Sequence, residues 1–359
     1  MASCPRKEVF REGEVGTYHV WTRCVRRWFL CGADPLTGKD YEHRRDWIHA
    51  FLRRLAALFG VEVGFHAEMA NHLHLVLRAR PDVVDTWSDE EVARRSLTIE
   101  RLIKSQDGET TREVGQGEVA IEMGEADRIV ALRGRLSHIS WFMKALCEHI
   151  GRRANREDRC TGHFFEGRFD CRDLTSEAAI LVCGIYVDLN QIHAGEAMTP
   201  EESTHTSAYE RIQSRLADEP EPTSPASGGI ASDESPSGWM CELPLQQDPD
   251  VDLPSLSQTQ SSRRASEKGL LPVSLEEYLA MLDWTGRQVR CDKRGAIPDG
   301  LAPILERLGI NDQLWTELTT HFDRYFGRIV GRAADVAARA AQAGRRYYRG
   351  QGTCAAAFG

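Results

Sequence analysis

Leu73, Leu75 and Leu77 alternate with His72, His74 and Val76 in the run NHLHLVLRAR. Successive side chains on a strand point to opposite faces, so period two sends the leucines to a core and both histidines to the other side. A chain with this strand must build a sheet whose second face carries two imidazoles. VEVGFHAEM precedes the strand by little more than a turn, which predicts a hairpin. Upstream, TYHVWTRCV (Thr17 to Val25) fits a first strand. EHRRDWIHAFLRRLAALFG fits a helix with Ile48, Phe51, Leu52, Leu55 and Phe59 on one face and Gly60 as its stop. Downstream, LSHISWFMKALCEHIGRRANR predicts a second helix with Leu136, Ile139, Met143, Leu146 and Ile150 inward. GHFFEGRFDCRDL then predicts a fourth strand, with Phe165, Phe169 and Cys171 on one side and Glu166, Arg168, Asp170 and Arg172 on the other. Thr175-Ser176-Glu177 reads as an N-cap before AAILVCGIYVDLNQIHAG, a helix closed by Gly195. The order β-α-β-β-α-β plus one helix predicts an α+β fold with a ferredoxin-like split βαβ antiparallel sheet and a tyrosine-bearing helix.

At 359 residues the chain has room for about two domains. Its net charge of −9, taken as an average, argues against a nucleic-acid partner. The charge is unevenly placed, however. Glu201 to Ser262 holds 12 acidic and 2 basic residues, and Asp82 to Asp127 holds 13 acidic and 5 basic, which leaves the remainder near +9. The Pro/Ser/Gly-rich stretch 201–268 lacks the apolar content to offset ordering entropy and reads as a disordered acidic linker. That divides the chain into a first domain at 1–200, with an acidic insertion at 82–127, and a smaller C-terminal helical domain at 269–359. The latter opens on a capping box, Ser274 with Glu277, and ends in a basic tail. No apolar run approaches the roughly 18 residues of a membrane span. The N-terminus MASCPRKEVFREGE lacks the apolar core of a secretory signal, so a cytoplasmic chain is expected. The 10 cysteines form no CxxC pair, as suits a reducing compartment.

Two imidazoles two residues apart on a strand can share a metal ion, or serve as an ordinary hydrogen-bonding pair. Two ligands are too few for a tight site, so a metal would need a third. Tyr186, Asn190 and His193 fall four and three residues apart, along one helix face. Here too there are two readings. The tyrosine packs at the core edge beside an asparagine near the helix end, or it is an oxygen nucleophile that forms a covalent intermediate. With a free pKa of about 10 it would need activation, or a target such as a metal-polarised phosphate.

MANHLHLVLR, GHFFEGRFDCRDL and YVDLNQIHAG, in that order, resemble the REP-associated tyrosine transposases of bacteria, a single-tyrosine HUH family. Their pattern is a Met-Pro-Asn-His-x-His strand, a Gly-Arg-Phe strand and a Tyr-(Ile/Val)-x-x-Asn-Pro-x-Arg-Ala-Gly helix. The resemblance covers roughly 13–200, and LLPVSLEEYLAMLDWTGRQ looks like the extension of a longer subgroup. It implies that His72, His74 and Asn190 hold Mg²⁺ or Mn²⁺ and that Tyr186 attacks single-stranded DNA beside imperfect hairpins, leaving a 3′-hydroxyl and a 5′-phosphotyrosine. Ala70 stands where the family has Pro, Gln191 where it has Pro, and His193 where it has Arg.

The implied partner is single-stranded or hairpin DNA, bound by a monomer or homodimer. His19, Trp21 and Arg23 share one face of the first strand. Arg168 and Arg172 share one face of the fourth, and Arg153 belongs to a basic cluster at the end of the second helix. These residues would supply phosphate contacts, with Trp21 a platform for an unpaired base, or else form an ordinary solvated face. Two other activities fit the same residues: a hairpin-binding protein that does not cut, and a phosphodiesterase using a metal-bound water.

Overall fold

The computed structural model describes residues 8–25, 29–35, 37–108, 112–218, 238–245, 265, 268–289, 305 and 310–359. Five strands form one mixed sheet: β1 (Gly16–Arg23), β2 (Val61–Glu68), β3 (His72–Ala79), β4 (Asp170–Leu174) and β5 (Ile329–Val330). Their order is β2-β3-β1-β4-β5, antiparallel throughout except that β5 runs parallel to β4. Between β1 and β2 lies α1 (His43–Leu58). Between β3 and β4 lie α2 (Pro81–Asp85), α3 (Asp89–Lys104), α4 (Gln116–Met123), α5 (Ala126–Leu136) and α6 (Ile139–Glu157).

The alternation in β3 sorts the two faces as the sequence predicts. Leu73, Leu75 and Leu77 join Val20, Ile48, Phe51, Leu52, Leu55, Phe142, Met143 and Leu146 in a core shared with α1 and α6. The acidic block 82–127 does not stand apart from this core. Val92, Ile99 and Leu102 of α3, Val119 of α4 and Ile129 of α5 enter it, so the acidic residues are the outer face of a packed helical layer.

On the other face lies α7 (Glu177–Asp188), capped as expected by Ser176, whose hydroxyl accepts from the Ala179 N–H at 3.3 Å. Its residues from Ala178 to Asp188 are all buried, because the sheet covers one side and the C-terminal segment the other. Tyr278, Trp284, Trp315, Leu318 and Phe322 join Leu181, Ile185 and Val187 in a second core.

Four expectations need correction. The fourth strand is extended and paired only at Asp170–Leu174; Gly162 to Phe169 is a loop, with one bridge from Phe165 to Cys24. The tyrosine helix breaks at Leu189, and α8 (Asn190–Ala194) follows, closed by Gly195 at φ 74°. Within 201–268, α9 (Ser207–Asp218) is a helix and Trp239 is buried; 219–237, 246–264 and 266–267 lie outside the described residues. The C-terminal segment begins with α10 (Leu275–Val289) and its capping box forms, but the segment is not all helical: Ile329–Val330 joins the sheet.

Among the described residues, no helix is long and apolar enough to cross a membrane.

Candidate active site

Antiparallel pairing sets Arg23 opposite His72, Trp21 opposite His74 and His19 opposite Val76, so the histidines of β1 and β3 occupy one face. His72 and His74 have ring centroids 4.8 Å apart. Each has a partner on Nδ1. Asn71 Oδ1 lies 2.6 Å from His72 Nδ1, and His19 Nε2 lies 2.9 Å from His74 Nδ1. A partner on one ring nitrogen orients the imidazole and directs the other nitrogen outward.

Burial disfavours protonation of all three rings. Aided by Arg23 it holds His72 at about 4, and aided by Arg172 it holds His19 at about 3. His74 is pushed well below its ordinary value by burial and by its histidine and arginine neighbours. All three are therefore neutral at pH 7, the form in which imidazole ligates metals.

α7 delivers Tyr186 to this face. Its approach depends on Gly184, where a Cβ would sit 2.6 Å from the Phe65 ring. The Tyr186 ring lies 5.7 Å from that of His74 and 6.1 Å from that of His19, edge-on to both. One turn further on, Asn190 is buried and its amide nitrogen lacks a hydrogen-bond partner. Two neutral, oriented imidazoles, with an amide one helical turn beyond the tyrosine, fit a hard or borderline divalent ion. No His, Cys, Asp or Glu among the described residues completes a three-ligand group with His72 and His74. A third protein donor here would be the Asn190 amide oxygen.

Sequence reasoning missed the residues that cover the tyrosine. The Tyr186 hydroxyl donates to Asp323 Oδ2 at 2.8 Å, and Phe322 stacks on the ring at 5.5 Å. Burial, and then the Asp323 carboxylate, raise the Tyr186 pKa far above that of an ordinary phenol. Burial alone would raise Asp323, but the Arg172 guanidinium, bonded to it, outweighs burial and holds the carboxyl below its usual range. Tyr186 is therefore protonated, hydrogen-bonded and only 8% exposed. Nothing at 322–323 resembles a motif, and only the folding of the C-terminal segment over α7 brings these residues to the site.

The expected DNA contacts fare unequally. Arg23 is exposed beside His72, and Trp21 is half-buried beneath the Arg172 guanidinium, 4.6 Å from the ring. His19 is fully buried and bonded to His74, which makes it a ring partner and not a surface contact. Arg172 is committed to Asp323 and to the Gly327 carbonyl. Arg168 is exposed, but borders a cleft of about 730 Å³ with Trp141, Phe164 and Phe165, away from the histidines. Arg153 stacks on Trp47 at 3.9 Å and donates to the Asp107 carbonyl, on the α6 side of the sheet. His193 is mostly buried, and its neighbour His321 helps burial depress it to about 4.

Neither protein-family models, nor curated proteins, nor solved structures match this chain.

Proposed function

We propose that the chain is a metal-dependent single-strand DNA transposase or endonuclease of the REP-associated tyrosine kind, which cuts and rejoins strands beside hairpin repeats. The observation that carries this reading is the approach of Tyr186 to His74 and His72, from elements more than a hundred residues apart, at 5.7 Å between the Tyr186 and His74 rings. The strand order β2-β3-β1-β4, with α1 and α6 packed together on one face, supports a ferredoxin-like split βαβ reading of the sheet.

His72, His74 and Asn190 would hold Mg²⁺ or Mn²⁺, which when bound supplies charge neutralisation at the scissile phosphate. Tyr186 Oη forms the bond to phosphorus in line as the bond to the 3′-oxygen breaks. The phenol gives up its proton to water, the leaving oxygen takes one up as a free 3′-hydroxyl, and the 5′-phosphate stays on the tyrosine. Because the phosphodiester bond is conserved as a phosphotyrosine, attack by a 3′-hydroxyl reverses the step without ATP. Arg23 meets backbone phosphate and Trp21 offers a stacking edge. Tyr186 must leave Asp323 to react, since that hydrogen bond keeps its proton in place.

The test is incubation with Mn²⁺ and a labelled hairpin-bearing single strand, resolved on a denaturing gel. A covalent adduct absent in Tyr186→Phe is expected. Cleavage that survives Tyr186→Phe without an adduct would instead identify a water-using phosphodiesterase. The cover of Phe322 and Asp323 over Tyr186 favours one second reading, a hairpin-binding protein that does not cut; binding with neither product would establish it.

A further inference from the structure

A second cluster of ligand-bearing side chains lies on the opposite face of the sheet, at its β2 edge. His49 comes from α1, His66 and Glu68 from β2, and Glu210 from α9. His49, His66 and Glu68 each offer a ligand atom, all within 4.8 Å of one another. Glu210 Oε1 lies 2.8 Å from His66 Nε2 and 3.4 Å from His49 Nδ1. A tetrahedral ion with bonds of about 2.0–2.2 Å separates its ligands by roughly 3.4 Å, so only small side-chain shifts are needed.

These atoms lack aligned hydrogen bonds. His66 and Glu68 are fully buried, yet neither ring nitrogen of His66 and neither carboxylate oxygen of Glu68 has a partner with hydrogen-bond geometry. The same holds for His49 Nδ1 and Glu210 Oε1. His66 does stand at ion-pair distance from both carboxylates, 3.3 Å from Glu68 and 2.8 Å from Glu210, but not aligned for a bond. The nearby arginines bond other groups, although Arg211 keeps one buried nitrogen without a partner. Arg45 donates to the Glu68 backbone carbonyl and to Glu196, and Arg211 to the carbonyls of Gly64 and Cys241. Opposite nitrogens of the His66 ring face two buried carboxylates, Glu68 and Glu210, the second also facing His49. A divalent ion with two neutral imidazoles balances them fully.

We propose that His49, His66 and Glu68 form a structural site for a zinc-like divalent ion, with Glu210 on the other nitrogen of His66 as the outer carboxylate that ties α9 and the Trp239 segment to the sheet edge. Trp239 Nε1 donates to Glu210 Oε2 at 2.7 Å, a contact that fixes this outer carboxylate. Without metal, a proton is the competitor. Burial opposes it, but Glu68 and Glu210 hold His66 at about 10. The mix of imidazole and carboxylate, with no sulfur, selects zinc or another borderline ion over calcium.

The test uses the full chain carrying His72→Ala and His74→Ala, so that the other histidine pair contributes nothing. After chelation and dialysis against Zn²⁺, one equivalent of zinc is expected to remain, and Tm to rise by about 5 °C or more at saturating metal. His49→Gln, at the partly exposed rim, keeps the fold and should lose the zinc and the Tm rise together. Co²⁺ added to the same His72→Ala and His74→Ala chain should give the visible absorption of a tetrahedral nitrogen–oxygen site. Retention of no metal with no Co²⁺ absorption would overturn the proposal, as would undiminished zinc in His49→Gln with Glu68→Gln. None of these readouts depends on DNA cleavage.

Discussion

At the residue scale, the Asp323 carboxylate and the Tyr186 hydroxyl define a resting state. A base that drives nucleophilic attack should have a pKa near the working pH. Asp323 lies below the usual carboxylate range, beside Arg172, and is poorly suited to take a phenolic proton. Its hydrogen bond to Tyr186 instead stabilises the protonated phenol. Asp323→Asn keeps a neutral acceptor and removes the charge. It should therefore speed adduct formation by about two- to fivefold, since the charge on the acceptor adds roughly 0.5–1 kcal/mol to a hydrogen bond. Slower adduct formation would show that the carboxylate is the base after all. Buried histidines set the acid sensitivity of the fold, and His149 adds to the share of His19, His72, His74 and His193. His149 is buried, stacked on Phe51 at 4.0 Å, and burial holds it at about 4 from an ordinary 6.5. Between those values the unfolded chain binds the proton and the folded one does not. Stability from this group is therefore fully present above about 6.5 and is lost as pH falls toward 4, on the order of 2–3 kcal/mol. His149→Phe should flatten the fall in denaturation midpoint between pH 7 and pH 4.5; an unchanged slope would place the acid-sensitive group elsewhere.

At the scale of elements, α7 reaches the sheet only because residue 184 has no side chain. Gly184→Ala would push a Cβ to 2.6 Å from the Phe65 ring, and overpacking of this kind costs about 1–3 kcal/mol. Adduct yield should fall with Tyr186 itself intact, and adding Phe65→Leu should recover much of both losses. Additive effects in the double variant would mean that the two residues do not meet. The neighbouring strand shows why one site was legible in sequence and another was not. In β3 the alternation is unbroken, so placing His72 and His74 opposite the leucines needed only period two. In β2 a bulge between Val63 and Phe65 shifts the register by one residue. Val61 and Val63 face the first core, whereas Phe65 and Ala67 face the second. His66 and Glu68 are thereby turned to the α1 side, opposite to what strict alternation from Val61 gives, and there they meet His49.

At the scale of the whole molecule, the low-complexity stretch suggested a separate C-terminal domain, because composition reports what a segment cannot bury and not what its neighbours cover. The composition of α7 held the contrary signal. AAILVCGIYV is apolar on every side, and a helix apolar all round must be buried all round. The sheet covers one side, and Tyr278, Trp315, Phe322 and their neighbours cover the other. Asp188 draws the parts together. Its carboxylate accepts from the Ser207 hydroxyl and the Ala208 N–H of α9, and at 2.6 Å from the Tyr278 hydroxyl of α10. Strand β5 extends the sheet itself, with Asp173 opposite Ile329 and Leu174 opposite Val330. A chain ending at residue 268 would therefore lose a core layer, a strand and the cover of Tyr186 at once. It would also expose an apolar patch well beyond the few hundred Å² that monomers tolerate. Such a truncation is expected to precipitate or to bind a hydrophobic dye strongly, with loss of cooperative unfolding. A soluble 1–268 chain with a sharp thermal transition would show that the two segments fold independently. If that chain also formed the Tyr186 adduct faster than the full chain, Phe322 and Asp323 would act on the tyrosine only as a cover.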